Sequence, residues 1–280
     1  MTALRAGAQL DSLRRYLVGR PAVAGSGRGN VVIVAAGKGG VGVSTVAALL
    51  AAGAAGAGAR TLLVDAADGG STLALLLGLP AAPGLEALRG AATLADVAAP
   101  LAAGLSFLGA ATDLADGVAL LAAERRALQR RAAAEFGAFD LVVIDAGSRL
   151  RAVLDAGEGG AARVLAVTGA ERVTCAAAYA LVKTLEERAP SVRVDLVVNR
   201  GDGAAAYAAV WGAATCFLRR EIALAGVIPE DPVVAAAANA GSGLAPLMAG
   251  EAGTAARLLS LDLLHSLAAA SADDGSNRKV

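Results

Sequence analysis

Aromatic side chains are scarce in this chain: one Trp, three Tyr and four Phe among 280 residues. A core has to be assembled mainly from Ala, Leu and Val, which suits closely packed helices on a sheet. Net charge is also missing, with 25 basic and 25 acidic residues, so no global field favours nucleic acid or acidic lipid. The two cysteines, Cys175 and Cys216, lack metal-ligand spacing. They argue for a reducing compartment and for core or near-core positions. The one histidine, His265, falls on an apparent C-terminal helix with no partner motif and reads as structural. Met1 to Arg20 has no continuous apolar core of the kind a signal peptide needs. The uncharged runs Gly39–Ala59 and Pro232–Gly250 are interrupted by Gly, Ser, Asn or Pro, and neither reads as a bilayer span. The expectation is a soluble, cytoplasmic protein of one large domain or two small ones.

What is present centres on Val31 to Thr45, VVIVAAGKGGVGVST. Four branched apolar residues, Val31 to Val34, read as a buried strand; a glycine-rich turn follows, then a helix from Ser44 to about Ala55. Such a turn lets backbone N–H groups close around an anion while the helix N-terminus adds partial positive charge. The candidate phosphate-binding set is Gly37, Lys38, Gly39, Gly40, Val41, Gly42, Ser44 and Thr45. Against the phosphate-loop pattern GxxxxGK[ST], Gly37, Gly42 and Ser44 are in place, but the lysine position is Val43. A charge-assisted hydrogen bond of the missing kind is worth roughly 1.5–3 kcal/mol, about ten- to a hundredfold in affinity.

Along the chain, Leu10, Leu13 and Leu17 share one face of a candidate helix over Thr2–Gly19, with Arg5, Asp11, Arg14 and Arg15 polar. Pro21 and the run Gly25–Gly29 read as a linker. Strands are expected at Thr61–Val64, Leu105–Leu108, Phe139–Asp145, Arg163–Thr168, Val192–Val198 and Leu224–Ile228. Helices are expected at Ser71–Leu79, Thr112–Phe136 with Asp113 as cap, Thr174–Arg188, Gly203–Arg220 and Ala252–Ala270. In the long helix, Glu124, Arg125, Arg126, Arg130 and Arg131 read as solvated. The segment Gly84–Ala103 reads as helical pieces and loop, and Ser271–Val280 as a disordered tail. This alternation predicts an α/β fold, three layers with a doubly wound, mostly parallel sheet. Its organisation reads as 1–29 helix and linker, 30–270 phosphate-loop domain, and 271–280 tail. Asp65 ends a strand on the ligand face of such a sheet. Asp145 ends an apolar strand, the Walker B shape, where it can hold a Mg²⁺-bound water beside Ser44.

GKGGVG followed by Val43 and Ser44 resembles the deviant Walker A loop of the MinD/ParA ATPases, in which Lys precedes the Ser/Thr, and nearly the whole chain is similar to that class, most of all to the flagellar-number regulators FlhG/FleN. Tyr179–Lys183 resembles their DAYALIK helix, Leu76–Leu79 their LLGL, and Gly226–Pro232 their GxIPxDP segment. The resemblance implies ATP or ADP with Mg²⁺ as ligands and a MinD-like P-loop NTPase fold. It implies that Lys38 reaches across a nucleotide-bound homodimer, that Asn199 and Arg200 touch adenine, and that Pro229 is among the nucleotide-binding residues. Gln9, Leu13 and Arg14 match part of the DQAxxLR element through which FlhG stimulates the GTPase FlhF, with Ala8 and Leu10 departing from it. An FlhF-like partner for residues 5–17 is implied; nucleic acid is not. Residues 272–280 lack the basic–apolar pattern by which MinD relatives reach the membrane; Leu258–Leu267 is amphipathic enough to face one, the alternative being packing on the sheet, so peripheral membrane association stays open.

The departures gather at the chemistry. Besides Val43, the family's DAD reads Asp65-Ala66-Ala67, so the acid that positions the attacking water is Ala67; Asp68 stands one residue on. Ala177 replaces the helix's leading Asp, and Arg149 stands where switch II usually has glycine. Lys38 and Asp65 are the remaining candidates for a catalytic role. The expectation is a FlhG/FleN-like nucleotide-binding regulator with impaired hydrolysis. The alternatives are an active ATPase that positions a septum, chromosome, plasmid or pilus, and a nucleotide-free scaffold.

Overall fold

The computed structural model describes residues 30–66, 72–79, 82–90, 92–110, 122–158 and 163–277. Strand β1 (Asn30–Ala35) alternates its side chains between two cores, Val32 and Val34 on one face of the sheet, Val31 and Ile33 on the other. That period of two, with both faces apolar, is what a strand covered on both sides requires. β1 leads into α1 (Val43–Gly56), whose Val46, Leu49 and Leu50 are fully buried on the first face. Then come β2 (Thr61–Asp65), α2 (Thr72–Leu76), a 3₁₀ turn (Leu85–Leu88) and α3 (Leu94–Val97). β3 (Ala99–Ala102), β4 (Leu105–Leu108), α4 (Ala122–Ala134), β5 (Leu141–Gly147) and α5 (Leu150–Glu158) follow. The chain continues through β6 (Arg163–Thr168), α6 (Arg172–Arg188), β7 (Arg193–Asn199), α7 (Gly203–Ala213) and β8 (Ala223–Ile228). It closes with α8 (Pro232–Ala240), α9 (Leu244–Leu247) and α10 (Glu251–Asn277).

The sheet order is β3-β4-β2-β5-β1-β6-β7-β8. All pairings are parallel except β3 with β4. The fold is therefore the expected three-layer, doubly wound α/β sheet. Helix α1 leaves β1 toward one face, while α5, with Val153 buried in the opposite core, leaves the adjacent β5 toward the other. Neighbouring strands whose connections diverge open a crevice at their carboxyl ends, where ligands bind in such sheets. No helix among the described residues is long and apolar enough to cross a membrane.

Several boundaries differ from the sequence expectations. The Walker B strand starts two residues late and runs past Asp145 to Gly147, with the register against β1 shifting at Ala35. The helix expected over Gly203–Arg220 ends at Ala213; a π turn at Ala214–Leu218 and a left-handed Arg219 (φ 54°) close it. That turn places Cys216 at the surface, correcting the expectation of a near-core thiol, whereas Cys175 is buried. β3 forms inside a stretch read as helix and loop because it pairs antiparallel with β4, a tertiary gain that four short residues do not advertise. Arg131 is no solvated charge: it donates to the carbonyls of Leu88 (2.6 Å) and Ala92 (2.7 Å) and to Gly90, stitching α4 to the loop before α3. Helix α10 continues to Asn277, past the point where the tail was expected to begin. The N-terminal helix and linker over 1–29, the Asp113 cap, Ala67 and Asp68 lie outside the described residues.

Candidate functional site

β1 ends at Ala35, and the chain crosses to α1 through Ala36–Gly42. Gly40 (φ 83°) and Gly42 (φ 88°) take left-handed conformations that side-chain-bearing residues pay for in steric strain. Gly42 is the N-cap of α1 and offers no side-chain acceptor, and no acid occupies the first turn. Gly39 and Gly40 form a tight turn, and the first helical N–H to find its acceptor is that of Val46, at the Gly42 carbonyl (2.9 Å), which leaves the N–H groups of Val43, Ser44 and Thr45 without an intrahelical partner. A glycine turn that ends in free N–H groups at the positive pole of a helix forms a nest for an anion. The residues present thus fit a polyphosphate, judged on this chain's own orphaned N–H groups.

The loop is held from behind. Asn199, buried at the end of β7, donates from Nδ2 to the Val41 carbonyl at 2.8 Å. Arg200, held at φ 62°, donates from its guanidinium to the Gly40 carbonyl at 2.9 Å. Both residues hold the loop through its carbonyls. Gly37 sits so close to α6 that a Cβ there would lie 1.8 Å from the Ala177 carbonyl oxygen. A Cβ on Gly39 would stand 3.8 Å from Ser148 Oγ, so the loop also faces the segment after Asp145. The Ala177 contact was invisible in sequence because it is made by backbone.

Two acids close the front. Asp145 is 1% exposed; the Ser44 hydroxyl hydrogen-bonds its carboxylate, and the Gly147 N–H donates to it at 2.9 Å. Burial pushes its pKa above the usual carboxylate value, against the pull of those two bonds. Asp65 is 4% exposed and stands in register with Asp145 on the neighbouring parallel strand. Ser44 and Asp145 together are the oxygen set a Mg²⁺ would use, since that ion keeps several waters and substrate oxygens rather than needing an all-protein cage. No group of three His, Cys, Asp or Glu able to hold a metal exists among the described residues.

Val43, at the missing lysine's position, is 7% exposed and packs into the α1 core with Val41 and Val46. A Cβ on Gly40 would meet nothing within 4 Å, so the loop is open at that point. Lys38 is exposed on the loop. It lies near Glu171, whose carboxyl is held below its usual value first by backbone and Thr174 hydrogen bonds, then by the positive charge of Arg200 and Lys38. Ser44 and Thr45 also line a pocket of about 660 Å³ shared with Thr72, Leu75, Asn239 and Gly241, a volume in the range of small-ligand sites. Pro229 follows Ile228, whose carbonyl accepts from the Arg200 N–H at 2.9 Å, and it also lines a groove between β8 and α10.

A parallel sheet with a glycine-rich strand-to-helix nest, a Ser at the helix start and a buried acid on the adjacent strand defines a P-loop-type nucleotide-binding fold. The family model described as the CobQ/CobB/MinD/ParA nucleotide binding domain matches residues 32–244, and the chain belongs to that family. No curated protein matches it by sequence. Among solved structures, a ParA family ATPase from Chlorobium tepidum TLS superposes with a TM-score of 0.69 at 20% identity, covering 85% of this chain and 100% of that one. MinD in the MinC:MinD cell division protein complex of Aquifex aeolicus gives 0.66 at 22%, covering 84% and 96%. The septum site-determining protein MinD of Pyrococcus horikoshii OT3, complexed with Mg-ADP, gives 0.57 at 20%, covering 84% and 95%.

Proposed function

We propose that this chain binds ATP or ADP with Mg²⁺ at the Gly37–Thr45 loop and acts through the partners it engages, with little or no hydrolysis. The observation that carries this is the contrast at the loop: its N–H groups and the Ser44–Asp145 pair are assembled, while Val43 is sunk in the core where a lysine would serve the phosphates. Mg²⁺ would supply charge neutralisation of the phosphates when bound. The protein's own groups do the rest. N–H groups from Gly37 to Thr45 receive phosphate oxygens, Ser44 and Asp145 orient the ion's oxygen shell, and Asn199 and Arg200 keep the loop open. Exposed Lys38 is the one loop cation left to contact phosphate, in this subunit or across a homodimer. Phosphoryl transfer depends on positioning and charge stabilisation, and both Val43 and Ala67 subtract from those.

The regulatory role follows from the resemblance to FlhG/FleN: control of flagellar number or placement, with residues 5–17 contacting an FlhF-like GTPase and the protein acting in the cytoplasm or at the inner membrane's surface. Isothermal titration with ATP and ADP in the presence of Mg²⁺ tests the binding. The expected result is saturable binding with turnover at saturating ATP far below that of a lysine-bearing relative. Absence of binding, or turnover equal to such a relative, overturns it.

A further inference from the structure

β8 pairs only with β7 among the described residues and forms one edge of the sheet. Beside it runs a groove of about 840 Å³, floored by Leu224–Val227 and walled by α10. The wall is one face of that helix: Glu251, Ala255, Leu258 and Asp262 all line the groove, at spacings of four, three and four. The stripe is apolar at its centre and acidic at both ends, and no Lys or Arg lines the groove. None of these residues belongs to the phosphate loop.

The direction of α10 is fixed. Its first turn lies past the end of β8, where the Ala252 N–H donates to Asp231 at 3.1 Å. Further along, Ser266 meets Arg163 at the start of β6 (2.6 Å). Helix α10 therefore runs antiparallel to the strands, and Asp262 lies toward the edge of the sheet where β1 begins at Asn30.

Three candidates could cover this groove: a second copy, an unrelated protein, or the chain's own first residues. A second copy packed antiparallel by the same stripe would set Glu251 against Asp262, a like-charge pairing. Residues 2–19 carry the complement: an apolar stripe of Leu10, Leu13 and Leu17, flanked by Arg5, Arg14 and Arg15 with Asp11 the only acid. At 1.5 Å per residue, Arg5 to Arg15 spans about 15 Å and Glu251 to Asp262 about 16 Å. The attachment also fits: β8 lies three strands from β1, about 14 Å, and a Gly/Ser linker of ten residues covers roughly 17 Å.

The geometry points to the groove between β8 and α10 as the docking site of this chain's own segment 2–19, seated as a helix parallel to α10, with Arg5 toward Glu251 and Arg14 and Arg15 toward Asp262. Docking hides the Leu10–Leu13–Leu17 face from other proteins, and so sets how much of that face is available to a partner. It requires no nucleotide, so its success or failure is separate from that of the proposal above.

The test uses the full chain in a Cys216→Ser background with Leu13→Cys and Leu258→Cys, oxidised mildly and mapped by mass spectrometry. An intramolecular bridge in the monomer is expected, and adding Glu251→Lys with Asp262→Lys lowers its yield about fivefold. Bridged dimers, or no bridge while both thiols accept a label, overturn the proposal. A second measurement needs no new cysteine. Tryptic cleavage after Arg14 and Arg15 in the unaltered chain should be slow, and about tenfold faster with Leu258→Asp, because cleavage follows the undocked population. Equal rates overturn the proposal as well.

Discussion

Asp65 and Asp145 stand in register on the neighbouring parallel strands β2 and β5, both buried and on the face that carries α1 and Ser44. Two carboxylates so placed bring their acceptor oxygens together on one face of the sheet. Burial raises the pKa of Asp145, so the folded protein holds that proton more tightly than the unfolded chain. The contribution of this group to stability therefore falls as pH rises from the unfolded carboxylate value through the folded one, then stays level. Asp145→Asn should remove that fall and raise stability above the window. Denaturant midpoints of wild type and variant across pH 3–8, read as a difference, check the sign. The same variant should lose the extra thermal stabilisation that Mg²⁺ gives over nucleotide alone.

Val43→Lys restores the missing cation at a buried position. Nucleotide affinity should rise about ten- to a hundredfold, while the empty protein loses roughly 1–3 kcal/mol from the larger, charged side chain in the α1 core. Val43→Met, which adds length without charge, should leave affinity unchanged. Titration calorimetry and denaturant unfolding measure the two effects. Combined with Ala67→Asp, the lysine variant should raise turnover above wild type.

Gly37→Ala forces a methyl within 1.8 Å of the Ala177 carbonyl, and the nearest atoms are all backbone. The loop or α6 must move, at a cost of about 1–3 kcal/mol. The nucleotide-induced thermal shift should vanish with it. Gly56→Ala, at the end of α1 with nothing within 4 Å, is the control. It should stabilise by roughly 0.5–1 kcal/mol and leave the shift intact.

Asn199→Ala removes the 2.8 Å bond to the Val41 carbonyl at a buried site. The expected loss is about 1–3 kcal/mol, because an acceptor is left without its partner. Hydrogen exchange over residues 37–42 should quicken and nucleotide affinity should drop. Unchanged exchange would show that the bond does not hold the loop.

Asp195 is 1% exposed and accepts from Arg163, itself buried, across β6 and β7. Burial lowers the Arg163 pKa and the neighbouring Asp195 charge raises it. Asp195→Ala should cost roughly 3–5 kcal/mol by stranding the guanidinium, without changing nucleotide affinity in the protein that remains folded. Urea unfolding and titration separate the two.

Much of the molecule was legible because its signals are local. Val31–Val34 alternates between two apolar faces, Leu105–Leu108 and Arg163–Thr168 match their strands residue for residue, and the glycines from Gly37 to Gly42 mark the turn. What escaped depended on distant neighbours. β3 exists only because β4 pairs with it; Arg131 looked solvated until the loop before α3 presented three carbonyls; Cys216 surfaced through a π turn that carries no sequence signature. Helix α8 was within reach, since Asp231 caps it and Pro232 opens it, but the preceding strand drew the reading.

By itself, the order of residues determined a strand, a glycine turn and a helix with a valine in place of the cation, because backbone conformation and two-faced burial are set within a few neighbours. Only the tertiary structure decided that Asn199 and Arg200 brace the loop's carbonyls, that Asp65 and Asp145 stand side by side, and that Val43 turns into the core. Those relationships join segments far apart in the chain. They depend on which strand lies next to which, a choice made by the packing of the whole sheet.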